Sequence, residues 1–312
     1  MRKPIFLFMA LTLAAGLRAD QGTTAADFLK LDTSPRAIAM GDAYGGISDD
    51  VAAIEYNPAG SAFMDHKELT LMDAVWFEDI VYYYGALAWP IKGIGTISVD
   101  FFYLNAGSFD GYVLNAQQQP QYTGTFTADD WYGTVSYSRK ILDYLSAGLS
   151  IKMLQESIST YTTGSVAVGL SGMYKSPVPG LDVGLAINNL GPSEGFQQGY
   201  TLPINVRLGV GYKPLSNITV GMDYDQPIET VGIWSVGGEY GYRDTLYVRM
   251  GYKYQGAVDY NEVQSGYGPA VASGLNMGLG LKLYKRFMAD YSYSPYGFLG
   301  TSHHISLSMI FD

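Results

Sequence analysis

Over most of its length this chain alternates with a period of two, and one of the two faces is small and almost uncharged. Leu181, Val183, Leu185 and Ile187 face one way while Asp182, Gly184, Ala186 and Asn188 face the other. The same pattern recurs in Leu246–Tyr254, with Arg249, Gly251 and Lys253 opposite, and in Leu275–Leu283, with Asn276, Gly278 and Gly280 opposite. This is strand periodicity. A soluble sheet also alternates, but its outer face carries Lys and Glu for solubility. Here the polar face is Gly, Ser, Thr and Asn, and the apolar face often ends in Tyr, Trp or Phe. That combination is the signature of a transmembrane barrel with lipid-facing aliphatics, aromatic girdles and a polar interior.

Fourteen such segments are expected, beginning near Lys67, Ile80, Gly93, Asp129, Tyr144, Ser165, Leu181, Pro203, Ile218, Ile233, Leu246, Leu275, Phe287 and Ser302. The connections support the number. "PIKG", "RKILD", "KSPVPG", "KPLSN", "GYRD" and "YKR" are short, whereas Asn105–Ala128 and Gln255–Gly274 are long. Short periplasmic turns alternating with longer outer loops suit an even-stranded bacterial barrel, and both chain ends are then expected in the periplasm.

Composition narrows the class. With 38 Gly, 27 Tyr, 47% hydrophobic and only 15% charged residues, the chain is neither disordered nor an ordinary exported soluble domain. Residues 1–19 read as a secretory leader, with Arg2 and Lys3 ahead of an apolar stretch too short to span a bilayer, cleaved near Ala19-Asp20. Three of the 19 basic residues lie in that leader, so the mature chain carries 16 basic and 29 acidic residues, a net of about −13. Nucleic acid is excluded as a partner, since phosphates need a basic face. There is no cysteine, hence no disulfide and no thiolate chemistry. The three histidines, His66, His303 and His304, form no metal-binding spacing, and His303 and His304 read as interfacial. No nucleophile motif accompanies them, so no enzyme activity and no cofactor are expected.

Residues 20–66 do not alternate. They are rich in Ala and Gly, with helical turns expected at Ala37–Ala43 and Val51–Glu55 and an Asn57-Pro58-Ala59-Gly60 turn. The segment is too short to build its own core, and a wide barrel leaves interior space to fill. It is therefore expected to be a plug inside an all-β, transmembrane antiparallel barrel formed by residues 67–312.

"FLKLDTSPRAIAMGDAYGGISDDVAAIEYNPAG" resembles the N-terminal signature of the PorV/PorQ family of outer-membrane proteins, related in fold to the long-chain fatty-acid transporter FadL. The matching blocks are Phe28-Leu29, Arg36 to Ala43 and Asn57 to Gly60, with weaker likeness in "INNLGP", "LPINVRLGVGY", "YVRMGYK" and "SHHISLSMIF". The resemblance implies a fourteen-stranded barrel with an N-terminal plug in the outer membrane of a Gram-negative-type bacterium. Two departures are Asp312 after the final aromatic and a short chain, which implies trimmed outer loops. Two functions follow from it: passive transport of hydrophobic small molecules, or a type IX secretion component that hands secreted protein cargo to surface-attachment machinery.

Several residues are candidates for such work. Arg36, with Asp42, Asp49 and Asp50 near it in sequence, is a latch between plug and wall or a gate. Asn57 and Pro58 shape the turn or position a ligand. Asp100, Arg207, Glu239 and Arg249 fall on the lumen face and balance one another, tie down the plug, or hold a ligand head group. Phe101, Phe102 and Tyr103 are girdle residues or apolar ligand contacts. Outer-membrane lipids are the surrounding partner.

Overall fold

The computed structural model describes residues 22–76, 80–255, 274–296 and 300–311. The expected leader, most of the Gln255–Gly274 loop and Asp312 lie outside the described residues. Fourteen antiparallel strands close into one barrel, each paired with its sequence neighbours and β1 with β14. They are β1 (Lys67–Val75), β2 (Val81–Ile91), β3 (Gly95–Leu114), β4 (Pro120–Leu142), β5 (Leu145–Ile158), β6 (Tyr161–Lys175) and β7 (Leu181–Leu190). They continue as β8 (Asn205–Leu215), β9 (Ile218–Pro227), β10 (Ile233–Tyr242), β11 (Leu246–Gln255), β12 (Leu275–Leu283), β13 (Phe287–Pro295) and β14 (Thr301–Phe311). Seven strand starts coincide with the sequence expectation, and closure leaves no unpaired edge.

The pleat sorts the side chains as the alternation requires. Leu71, Val135, Ile151, Met250, Leu279 and Leu307 point outward and are exposed, while Ser98, Ser136, Ser292, Ser306 and Thr134 point inward and are buried. Tyr83, Trp234 and Tyr254 ring the loop end, and Trp89, Tyr174 and Tyr212 ring the turn end. An apolar exterior of this extent is matched to lipid rather than water. Among the described residues no helix is long and apolar enough to cross a membrane, so crossing falls to the strands.

One expectation about connections is corrected. Asn105–Ala128 is not a loose loop. β3 and β4 continue past the barrel rim as a hairpin, pairing Phe109 with Phe126 and Tyr112 with Tyr122 around a tip at 115–119. Cross-strand aromatic pairs hold it, with ring centroids 5.6 and 5.7 Å apart. The described residues begin and end at opposite ends of the barrel. Phe311 ends β14 at the turn end, but Thr24 bridges to Thr201 in the β7–β8 loop at the opposite end.

The plug therefore runs the full height of the barrel before β1 begins. It holds a 3₁₀ turn (Asp27–Lys30), helix α1 (Pro35–Ala39), helix α2 (Ala53–Tyr56) and a 3₁₀ turn (Pro58–Phe63). Ser34 caps α1 by accepting from the Ala37 N–H at 3.3 Å, and Pro35 starts the helix where no donor is needed.

Candidate functional site

The plug meets the wall backbone to backbone. A Cβ on Gly237 would lie 2.1 Å from the Met40 carbonyl oxygen, and one on Gly221 2.1 Å from the Ala43 oxygen. Gly251, Gly184, Gly209 and Gly211 are equally crowded by Met40, Gly45 and Gly46. These wall glycines belong to β7–β11 and form a cradle for residues 40–46. Glycine is needed there because any side chain would occupy the space of the plug's main chain.

Charge fixes what the cradle positions. Arg36 donates through Nε and Nη2 to both oxygens of Glu239 at 2.9 Å each, a fork matched to a carboxylate. Its Nη1 reaches Asp49 at 2.8 Å, Asp50 at 2.9 Å and the Tyr44 hydroxyl at 2.8 Å. Glu239 also accepts from Arg249 at 2.6 Å, and Arg249 donates to Asp290 at 2.5 Å. Lys213 of β8 holds the other oxygen of Asp49. Burial works against ionisation of Asp49, but Arg36 and Lys213 outweigh it and keep its carboxyl well below the usual range.

The expected site residues separate into groups. Arg36, Asp49, Asp50, Glu239 and Arg249 form one network. Asp42 is not part of it; Asp42 accepts from the Tyr56 hydroxyl at 2.9 Å and pairs with Lys253. Arg207 pairs with Asp225 at 3.0 Å and Asp223 at 3.7 Å. Asp100 accepts from the Thr134 N–H at 2.9 Å and meets no arginine. Asn57 shapes its turn by accepting from the Ala59 N–H at 3.2 Å and also ties the plug down, donating to the carbonyls of Gly45 at 2.9 Å and Gly172 at 3.2 Å. Pro58 opens the 3₁₀ turn that follows.

Phe101, Phe102 and Tyr103 cannot act as one set, because neighbours in a strand face opposite ways. Phe101 points outward, Tyr103 bonds outside to Asp129 at 2.7 Å, and Phe102 is fully buried inside. His304 is likewise not interfacial. It is buried in the lumen, with Nε2 2.9 Å from the Tyr82 hydroxyl.

Phe28 of the plug, part of the Phe28-Leu29 block, was given no role at the site from sequence. Its ring stacks on Phe102 and Tyr132, each at a centroid distance of 6.1 Å, within a buried cluster that includes Tyr82, Leu104, Leu154, Ala167 and Leu202. The cluster reaches the wall beside a bulge where Gly169 of β6 faces both Asn188 and Asn189 of β7. Above the Val168–Leu190 pair that tops the bulge β6 has no β7 partner, and the β7–β8 loop closes over it through Thr163 and Ser165. The segment carrying Phe28 is held by polar contacts at its start as well as by the packing of its ring. It holds by Thr24 to Glu229 at 2.5 Å, by the Ala25 N–H to the Thr201 oxygen at 3.0 Å, and by Lys30 to Glu229.

Two cavities flank the plug. The loop-side one has a volume of about 380 Å³ and the turn-side one about 260 Å³. Both are lined with charge. Lys152, Lys253, Asp32, Asp223 and Asp225, none of them singled out from sequence, line the first. Strand parity puts all but Asp32 on the lumen face, and that signal was available. Among the described residues no group of three or more His, Asp or Glu is placed to hold a metal ion.

This barrel with an internal plug has solved counterparts. The Pseudomonas putida toluene transporter TodX superposes with a TM-score of 0.59 at 14% identity, covering 87% of this chain and 96% of that one. The Ralstonia pickettii toluene transporter TbuX gives 0.57 at 13%, covering 89% and 97%. A Pseudomonas aeruginosa FadL homologue gives 0.54 at 13%, covering 93% and 98%. The chain has the fold of these FadL-type channels. No protein-family model and no curated relative matches the sequence.

Proposed function

We propose that this protein is an outer-membrane channel for passive entry of hydrophobic small molecules. The observation that carries the reading is Phe28, an aromatic ring of the plug's N-terminal segment, filling an aromatic site that runs to a bulge in the wall. A hydrophobic molecule of the size of a monoaromatic hydrocarbon, the cargo of the channels that share this fold, takes the place of Phe28 when the segment moves. From that site a way to the bilayer passes Ala167 and the Gly169 bulge, which also line the loop-side cavity. Residues 40–63 stay in their cradle, so the moving part is the N-terminal segment rather than the whole plug. In this reading the turn end faces the periplasm and the leader is removed on export.

The test is uptake of radiolabelled toluene by cells carrying the protein in their outer membrane. Expression should raise the uptake rate over empty cells, and Phe28→Ala should raise it further. Uptake equal to that of empty cells for both forms, with folded protein in the membrane, overturns the reading.

A second reading, handling of secreted protein cargo by a PorV-like component, is favoured by one feature, the β3–β4 hairpin. It projects Phe109, Tyr112, Leu114 and Tyr122 beyond the rim, all exposed, and exposed aromatics suit protein contact. Removing residues 110–124 should then release co-purifying secreted proteins while the barrel stays folded. Retention of those proteins counts against the hairpin.

A further inference from the structure

The two charged cavities come within one residue of each other, and this goes beyond the hydrophobic route. Plug residues 29–33 line the loop-side cavity and residues 33–36 line the turn-side cavity, so Thr33 borders both. The loop-side cavity reaches Thr230 and Gln255 at one rim. The turn-side cavity reaches His66, Lys282 and Ile310 at the other. The wall follows the same division. On β10, Ser235 lies above and Glu239 below; on β11, Lys253 lies above and Arg249 below. Between them Met40 seals against Gly237 and Gly251, and on the far side Tyr82 donates to the Asp32 carbonyl at 2.9 Å.

The partition at Thr33 is polar and poorly bonded. Thr33 is 3% exposed, and its hydroxyl lies beside that of Tyr84 without a hydrogen bond of good geometry. A buried hydroxyl so weakly bonded gains from entering water. Carboxylates outnumber cationic side chains in both cavities, six to four on the loop side and, with His66 counted, five to four on the turn side. A water-filled path with that excess favours cations over anions.

We propose that the lumen is a second, polar route through this protein, conducting small inorganic cations past Thr33 and parting from the hydrophobic path at the loop-side cavity, whose lining includes Ala167 and Gly169.

The experiment is conductance of the purified full chain in planar bilayers under a potassium chloride gradient. The expected result is a current above that of protein-free bilayers, with a reversal potential on the cation side. Thr33→Gly should raise the conductance about tenfold by removing the partition's side chain, and Thr33→Val, which keeps the shape and loses the hydroxyl, should lower it. Phe28→Ala should leave it unchanged while altering toluene uptake, so the two routes fail or stand separately. Heat-modifiable gel mobility confirms that each variant is folded. Absence of current from both wild type and folded Thr33→Gly, anion selectivity, or a conductance that follows Phe28 and not Thr33 overturns the proposal.

Discussion

Arg36 of the plug and Glu239 of the wall, 203 positions apart in the chain, meet in a two-bonded fork with both contacts at 2.9 Å. Both groups are largely removed from solvent, with side-chain exposures of 16% and 7%. Their desolvation is offset by further partners on either side, so the pair acts as one link of a chain running from Asp49 through Arg36, Glu239 and Arg249 to Asp290. Removing one link strands its neighbours. Arg36→Ala leaves Glu239, Asp49 and Asp50 with fewer counter-charges and should destabilise the protein by about 3–5 kcal/mol. Arg36→Lys keeps the charge but loses the fork, and should recover only part of that. Urea midpoints from heat-modifiable gel mobility measure both.

The glycine cradle makes a sharper prediction, because it contains its own control. A methyl group on Gly237 would collide with the Met40 carbonyl, whereas on the neighbouring Gly238 the nearest atom is 3.8 Å away. Gly237→Ala should therefore push the plug from the wall and cost about 1–3 kcal/mol. Gly238→Ala should be neutral or slightly stabilising, because it only restricts the unfolded chain. Limited proteolysis of residues 40–46 in the two variants separates local displacement from loss of the barrel.

Two groups of the plug set its pH range, from opposite sides. Asp49 titrates below its ordinary value of 3.8 because Arg36 and Lys213 outweigh its burial. Its contribution is fully present above pH 3.8 and is lost as the pH falls below that toward its depressed folded value. His66, at the junction with β1, is raised from 6.5 to about 9, chiefly by Glu68. Its contribution is fully present below pH 6.5 and is lost as the pH rises through 9. Protease resistance of the plug should thus hold between about pH 4 and 6.5, falling on both sides. His66→Gln should remove the alkaline fall alone, and Asp49→Asn should remove the acid fall at a lower starting stability.

Much of this was legible in the sequence, for a physical reason. A lipid-facing barrel needs strict alternation, so strand number and the lumen placement of Asp100, Arg207, Glu239 and Arg249 follow from parity alone. Arg36 could be singled out as the one basic residue in an acidic stretch, although its partner Glu239 is remote in sequence. What parity does not encode is height. Gly237 and Gly238 look alike in a strand, and only the path of the plug decides which of them is crowded. The same limit hid Phe28, whose role depends on lying level with Phe102 and Tyr132. The Asn105–Ala128 connection read as a loop long enough to hide a hairpin, and the hairpin itself stayed out of sight because bulges between Asn105 and Ser108 and at Gly111 break its alternation. His304 was misplaced because adjacent histidines share a composition but not a face.

The absence of cysteine allows a direct test of which part of the plug moves. Thr24 and Thr201 are bridged strand partners, and such neighbours lie about 4.8 Å apart, within reach of a disulfide. Thr24→Cys with Thr201→Cys should pin the segment carrying Phe28 under oxidation and release it on reduction. If hydrophobic molecules displace Phe28, toluene uptake should drop to the level of empty cells when oxidised and return with reductant. The potassium current past Thr33 should be the same in both states, because Thr33 lies below the linked segment and the cradle below it is untouched. Uptake that persists in the fully oxidised protein would place the hydrophobic route elsewhere in the wall, and a current lost with the uptake would merge the two routes into one.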